Sequence, residues 1–196
     1  MPPPQTPRIA LFTRYPRAGE AKTRLIPAIG PEDAARVHRV LVERTIATIR
    51  ASGLPFAVWY TGAPREAFAQ WLGEDVELVE QGNGDLGARL ARVPAPAILL
   101  GADIPALGVR HLEQAAGALR RNDSVVGPAR DGGYYLLGYR EECPALFTDM
   151  AWGTETVFEV TLRRLAAAGR TFALLETLDD CDRPADLAHW PDLLAQ

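Results

Sequence analysis

The chain has 196 residues, 47% hydrophobic and 23% charged, the balance of a globular chain of ordinary domain size that can bury a core without staples. A formal net charge of −4 gives no overall basic field for nucleic acid, and no apolar run approaches a membrane span. Two cysteines, Cys143 and Cys181, form neither a disulfide framework nor a metal-ligand spacing and fit a reducing, cytoplasmic setting.

Residues 1–7 read as a proline-rich tail without the apolar core of a signal peptide, which leaves residues 8–196 as one expected domain. Residues 9–12 form the first strand. A helix over 31–51 follows, with Pro31 in its first turn, Glu32 and Asp33 at its positive end and Gly53 just past its close. Val37, Leu41, Thr45 and Thr48 lie on its inward stripe. The aromatic and β-branched run 56–61 is a strand, 64–72 a short helix and 76–79 a brief strand. Turn chemistry over 81–87 leads into a helix from Asp85 to about Arg92. Residues 97–100 are a buried strand, 109–121 a helix, and 124–129 with 134–139 two strands around a hairpin-like turn at 130–133. A helix over 154–168, a strand over 171–178 and a helix over 184–194 complete the chain. This alternation predicts an α/β fold with a mixed, mostly parallel sheet, whose ligands bind beyond the carboxyl ends of the strands.

The first of those ends carries Arg14, Arg17, Gly19, Lys22 and Arg24. Gly19 lets backbone amides approach a ligand. Lys22 and Arg24 can neutralise phosphate, and Arg14 and Arg17 are weaker candidates. The segment lacks the Walker A pattern and the dinucleotide-binding glycine fingerprint; a solvated loop is the plain alternative. Asp103 follows the strand at 97–100. A carboxylate there can hold Mg²⁺ or Mn²⁺ against phosphate oxygens, or it can cap the helix at Val109. Asp179, Asp180 and Asp182 cluster ahead of Pro184. Asp182 suits the cap of the final helix, and a second metal ligand is the functional alternative. In the turn at 130–133, Asp131 can orient an acceptor group, and the neighbouring glycines admit a sugar or phosphate. Thr154 suits a helix cap, and Trp152 reads as core in preference to a stacking surface. His38, His111 and His189 share no spacing and read as structural or surface residues. There is no obvious nucleophile.

Six segments in order, P-R-A-G-E-A-K-T-R-L, G-D-L-G-A-R-L, G-A-D-I-P-A-L, G-P-A-R-D-G-G-Y-Y-L-L-G, W-G-T-E-T-V and D-D-C-D-R-P-A-D-L, resemble the DUF2064 family. These are glycosyltransferase-like proteins of the nucleotide-diphospho-sugar transferase superfamily, related to 2-phospholactate and molybdenum-cofactor guanylyltransferases. The resemblance implies a GT-A-like three-layer fold. It implies that the loop around Gly19, Lys22 and Arg24 grips phosphates and that Asp103 is the principal metal ligand, with Asp182 the second. It also places Gly84, Asp85 and Gly87 near the base or ribose. Many relatives carry lysine where this chain has Arg14, and the ending reads D-R-P-A-D-L where some relatives have D-T-P-E-D-L.

Two reactions fit such a site: glycosyl transfer from a nucleotide sugar to a small-molecule hydroxyl, with Asp131 as candidate base, and nucleotidyl transfer from a nucleoside triphosphate with release of pyrophosphate. Both use Mg²⁺ or Mn²⁺ and cations to stabilise the leaving group. A non-catalytic nucleotide-binding module is the further alternative.

Overall fold

A computed structural model describes residues 6–195; residues 1–5 of the expected tail lie outside the described residues. The chain runs β1 (Arg8–Arg14), α1 (Ile26–Ser52), β2 (Phe56–Thr61), α2 (Arg65–Leu72), β3 (Leu78–Glu80), α3 (Leu86–Leu90), β4 (Ala97–Leu100), α4 (Val109–Ala118), β5 (Ser124–Pro128), β6 (Tyr134–Tyr139), α5 (Val157–Ala167), β7 (Phe172–Leu174) and α6 (Pro184–Leu187). Helix α1 is broken at Gly30, where φ is 81°, so the long regular part begins at Pro31 and a separate turn precedes it. Its end is closed by Gly53 in the left-handed region, φ 69°.

The strands form one seven-stranded sheet in the order β3-β2-β1-β4-β6-β5-β7. Strand β6 runs antiparallel to both β4 and β5, and the other pairings are parallel. The sheet is therefore mixed and mostly parallel. From β1 the chain winds outward to β2 and β3, then returns to place β4 on the other side of β1. Strands β1 and β4 are parallel neighbours at which the winding of the chain changes side, and the crevice beyond their carboxyl ends is the natural ligand position in such a sheet.

Both faces of the sheet are covered, which explains why its central strands read as continuous apolar runs. Ile9 and Leu11 of β1 and Ile98 and Leu100 of β4 pack with Ile46 of α1, Phe68 of α2 and Leu112 of α4. The alternate residues, Ala10, Ala97 and Leu99, pack on the opposite face with Leu90 of α3 and Leu165 of α5. The result is a three-layer sandwich. A third cluster joins Leu25 and the outer side of α1 to Cys181, Leu187 and Leu193, tying the C-terminal segment to the loop after β1.

Three sequence expectations are corrected. The final helix over 184–194 is only α6 and a separate 3-10 turn at Pro191–Leu193, because Pro191 has no amide to continue a helix. The strand over 171–178 pairs continuously only at β7, with an isolated bridge between Ala129 and Leu178, after a register shift at Gly127/Pro128. The helix placed from Thr154 begins at Val157. Thr154 is not its cap: its hydroxyl donates to the Ala151 carbonyl at 2.8 Å.

Gly132 joins the β5–β6 turn to α5. Its φ is 88°, a Cβ there would stand 2.2 Å from the Glu155 carbonyl oxygen, and its own carbonyl accepts from the Phe158 amide. Gly132→Ala should destabilise the fold by more than about 2 kcal/mol, through left-handed strain and backbone collision together. Gly169, φ 65° with open space at its Cβ, carries only the first term, so Gly169→Ala should cost about 1–2 kcal/mol. Urea unfolding of the two variants measures the difference.

Candidate functional site

The loop between β1 and α1 is pinned from below. Ala21 and Leu25 are fully buried, so the residue nearest Ala21, Lys22, is carried inward with them. Lys22 adopts φ 47°, an uncommon angle for a residue with a Cβ, and its side chain is only 3% exposed. Its ammonium lies 2.5 Å from Asp103 Oδ1 and 2.7 Å from Asp182 Oδ1, and donates to the Cys181 carbonyl at 2.8 Å. All three of its protons are thereby used. Burial opposes the charge, but Asp103 and Asp182 outweigh it and hold the ammonium above the ordinary lysine range. Burial likewise opposes ionisation of Asp103, and the Lys22 ammonium overcomes it, holding that carboxyl below the usual range.

The carboxylates reach this point because neither caps a helix. The turn into α4 is closed by His111, whose Nδ1 accepts from the Gly108 amide at 2.8 Å, which frees Asp103. The turn into α6 is closed from within the helix: Asp186 Oδ2 accepts from the amides of Asp182 and Arg183 at 3.0 and 2.7 Å. The capping role expected of Asp182 thus belongs to Asp186. Asp182 instead meets Lys22 with one oxygen and Arg24 Nη1, at 3.2 Å, with the other. The Cys181 amide donates to the Asp103 carbonyl at 2.9 Å, fixing the two acidic segments to each other.

Three cavities share Asp103 in their walls. The first, about 550 Å³, holds most of the cations: Arg14, Lys22, Arg24 and Arg89 line it, together with Glu20, Asp103 and Asp182. The second, about 320 Å³, is walled by Leu86, Leu90, Tyr134, Trp152 and Val157, with Asp103 and Asp131. The third, about 120 Å³, lies among Asp103, Asp131, Asp180 and Asp182. Among the described residues no Lys, Arg or His lines the second or the third. Trp152 is half-buried and meets Tyr134 edge-on at 6.4 Å, so it is a cavity wall as well as a packing residue. Burial keeps the Tyr134 phenol far above its ordinary range, and its hydroxyl and the Trp152 indole N–H are enclosed with no hydrogen-bond partner among the described residues.

Gly19, Gly84, Asp85 and Gly87 lie outside these cavity walls, whereas Gly133 of the β5–β6 turn lines the second and third. Gly19 has φ 82° in the turn before Lys22. Gly84 takes φ 101° and accepts from Arg89 Nε at 2.9 Å. Asp85 caps α3, accepting from the Ala88 amide at 2.8 Å. At Gly87 a Cβ would stand 2.2 Å from the Phe147 carbonyl oxygen, so its small size serves packing. Leu86 and Arg89, from the same helix, face the cavities instead. Asp131 is exposed and folds onto its own turn, accepting from the Gly133 amide at 2.8 Å.

The sequence reading missed several residues. Phe12 separates the first two cavities and stacks on Trp59 at 5.6 Å. Buried Gln81 donates to the carbonyls of Thr13 and Trp59, at 3.0 and 2.8 Å, linking the ends of β1 and β2. His38, read as structural or surface, lines the first cavity; burial lowers it from the usual histidine range. Only a glutamine at a strand end and a histidine beside an apolar helical stripe signalled these positions.

Among the described residues no group of three or more His, Cys, Asp or Glu forms a ready-made metal cage. The convergence of Asp103 and Asp182 on one cationic nitrogen nevertheless fits a hard divalent cation, since Mg²⁺ is commonly held by one or two carboxylates with phosphate and water oxygens completing its shell.

The family model described as "Uncharacterized protein conserved in bacteria (DUF2064)" matches residues 45–154. A crystal structure from Desulfovibrio desulfuricans G20, provisionally described as a nucleotide-diphospho-sugar transferase, is 26% identical over 98% of both chains, with a TM-score of 0.86. CMP:2-keto-3-deoxy-manno-octonic acid synthetase complexed with CTP shares the fold at 16% identity, covering 98% of this chain and 99% of that one, with a TM-score of 0.56. Glucosyl-3-phosphoglycerate synthase from Mycobacterium tuberculosis, solved with Mn²⁺, UDP-glucose and glycerol 3-phosphate, shares it at 12% identity, 98% and 77% coverage and a TM-score of 0.58. No curated protein matches the chain in sequence. Among the described residues no helix is long and apolar enough to cross a membrane.

Asp180 supplies a test of the acidic floor. Burial, then the charges of Asp131 and Asp182, raise its carboxyl from the ordinary 3.8 to about 6. The folded chain therefore holds a proton there that the unfolded chain has released, and this contribution to stability is lost as pH rises from about 4 through 6. Asp180→Asn should raise the Tm more at pH 7 than at pH 4, as followed by thermal unfolding across that range.

Proposed function

The chain belongs to the DUF2064 family, and on that premise we propose that it is a metal-dependent, glycosyltransferase-like enzyme that moves a group from a nucleotide-activated donor to a small-molecule acceptor. The observation that carries this reading is the meeting of a cationic cavity and a cation-free one at Asp103. A donor's phosphates have their counter-charges in the first, from Arg14, Lys22, Arg24 and Arg89. The second offers apolar and aromatic walls with two carboxylates, which suits an uncharged group bearing hydroxyls and disfavours an anion.

Asp103 and Asp182 would hold Mg²⁺ or Mn²⁺, which when bound supplies charge neutralisation at the donor's phosphate oxygens. Lys22 and Arg24 would bind the same phosphates and stabilise the charge that grows on the departing nucleoside diphosphate. Asp131 would accept the proton of the attacking hydroxyl as that oxygen bonds to the anomeric carbon. The bonding pair of the broken carbon–oxygen bond leaves with the phosphate. Phe12, Leu86 and Trp152 would limit water at the reacting atoms.

Nucleotidyl transfer from a nucleoside triphosphate is the second reading, favoured by the number of cations in the first cavity, since departing pyrophosphate carries the larger charge. It would bring an anionic acceptor against the acidic walls of the other cavities, and for that reason we place it second.

A thermal-shift panel of nucleotide sugars and nucleoside triphosphates, each with and without Mg²⁺ or Mn²⁺, separates the readings. Stabilisation by a nucleotide sugar that depends on metal is the expected result; stabilisation by triphosphates alone favours the second reading. Asp103→Asn should abolish the metal-dependent shift while the chain remains folded. Arg24→Ala should weaken donor binding by about 1.5–3 kcal/mol, the range for a charge-assisted hydrogen bond. With an acceptor in hand, Asp131→Asn should lower kcat by on the order of 10²–10⁴-fold, the usual range for loss of a general base, with donor affinity retained.

A further inference from the structure

We propose that Lys22 is a built-in counter-ion that occupies the divalent-cation position and yields it only when a phosphate-bearing ligand arrives with the metal. The inference rests on the reading of Asp103 and Asp182 as metal ligands and goes beyond it, because it assigns one lysine two alternative partners and makes metal and phosphate binding interdependent.

The geometry leads there directly. One nitrogen lies at 2.5 Å from Asp103 Oδ1 and 2.7 Å from Asp182 Oδ1, so the point on which the two carboxylates converge is the position of the ammonium itself. Metal–oxygen distances for Mg²⁺ are about 2.0–2.1 Å, so a metal ion bound by both carboxylates would overlap that nitrogen. The lysine and the metal exclude each other. The ammonium is also costly to evict into water, because its side chain is 3% exposed and its third proton is bonded to the Cys181 carbonyl. Eviction becomes favourable when new anionic oxygens are offered nearby. Lys22 lines the cationic cavity, so a phosphate bound there is within reach of a displaced ammonium. The backbone of Lys22, at φ 47°, is held in a sparsely populated region by this surrounding structure, as is common where strain belongs to a functional arrangement.

Two carboxylates with one lysine between them carry a residual negative charge, which Arg24 offsets from the far side of Asp182 at 3.2 Å. Metal with phosphate keeps the site balanced as the lysine leaves. Metal alone must discard a buried lysine with no new partner for it. Free Mg²⁺ or Mn²⁺ should therefore bind weakly, and each ligand should tighten the other by the same factor.

Mn²⁺ binding followed by the loss of the free-ion electron paramagnetic resonance signal tests this without any turnover. For the wild-type chain, inorganic pyrophosphate, chosen because it needs no knowledge of the base, should tighten Mn²⁺ binding by about tenfold or more after correction for Mn²⁺–pyrophosphate complexes, within the usual range of site–site coupling. Lys22→Met keeps the length of the stem and removes the charge. It should bind Mn²⁺ alone about tenfold or more tighter than wild type while losing most of the pyrophosphate effect. Lys22→Arg, which retains a counter-charge and guards against loss of the fold, should stay weak for Mn²⁺ alone. Equal Mn²⁺ affinity of wild type with and without pyrophosphate, or a folded Lys22→Met variant that binds Mn²⁺ no better than wild type, would overturn the proposal. Those outcomes leave the donor panel untouched, so the failure of this inference and the failure of the transferase reading are distinguishable.

Discussion

The site depends on one ammonium group between two carboxylates. Lys22, Asp103 and Asp182 come from the ends of β1, β4 and the segment after β7, and none is near another in sequence. Unpaired, any one of them would be a buried or half-buried charge and strongly unfavourable. Paired, they bind the loop after β1 to the C-terminal segment and define the centre of the crevice. The apolar anchors Ala21, Leu25 and Cys181, all fully buried, hold the backbone on either side, so the ion pairs need only set direction.

The surroundings follow from that centre. Helix caps are supplied by other residues, His111 at one turn and Asp186 at the other, and so Asp103 and Asp182 are spared local duty. The cations of the first cavity and the acidic walls of the other two are segregated by Asp103, the residue common to all three. Under the proposed reading, that arrangement would give the site a direction, with the donor's phosphates on one side and an uncharged acceptor on the other. The change in winding direction at the parallel pair β1 and β4 opens the crevice that these cavities share.

Much of the fold was legible because the sheet is covered on both faces. The strands at 56–61, 97–100 and 134–139 carry continuous apolar or aromatic runs, and their bounds agree with β2, β4 and β6. The ends of the chain were harder to read. Residues 184–194 carry enough apolar side chains for one helix, yet Pro191 divides them. Thr154 has a cap-forming hydroxyl, yet spends it on Ala151. Among the site residues, Lys22, Arg24, Asp103 and Asp182 were visible as charges at strand ends, and the structure brings those four together. Gly84, Asp85 and Gly87 were visible as a motif, and the structure shows them shaping the α3 turn and its contact with Phe147. His38 and Gln81 could not be read locally. A histidine one position from a buried valine looks like any core histidine, and only the packing of α1 against the end of β1 shows that it meets the cavity.

Anomalous diffraction from crystals grown with Mn²⁺ and a nucleoside diphosphate would test the central claim most directly. The expected result is a metal peak at coordinating distance, about 2.0–2.3 Å, from both Asp103 and Asp182, with the Lys22 ammonium moved onto a phosphate oxygen. A nucleotide bound in the cationic cavity with Lys22 still seated between the two carboxylates, or a metal peak away from both of them, would contradict it.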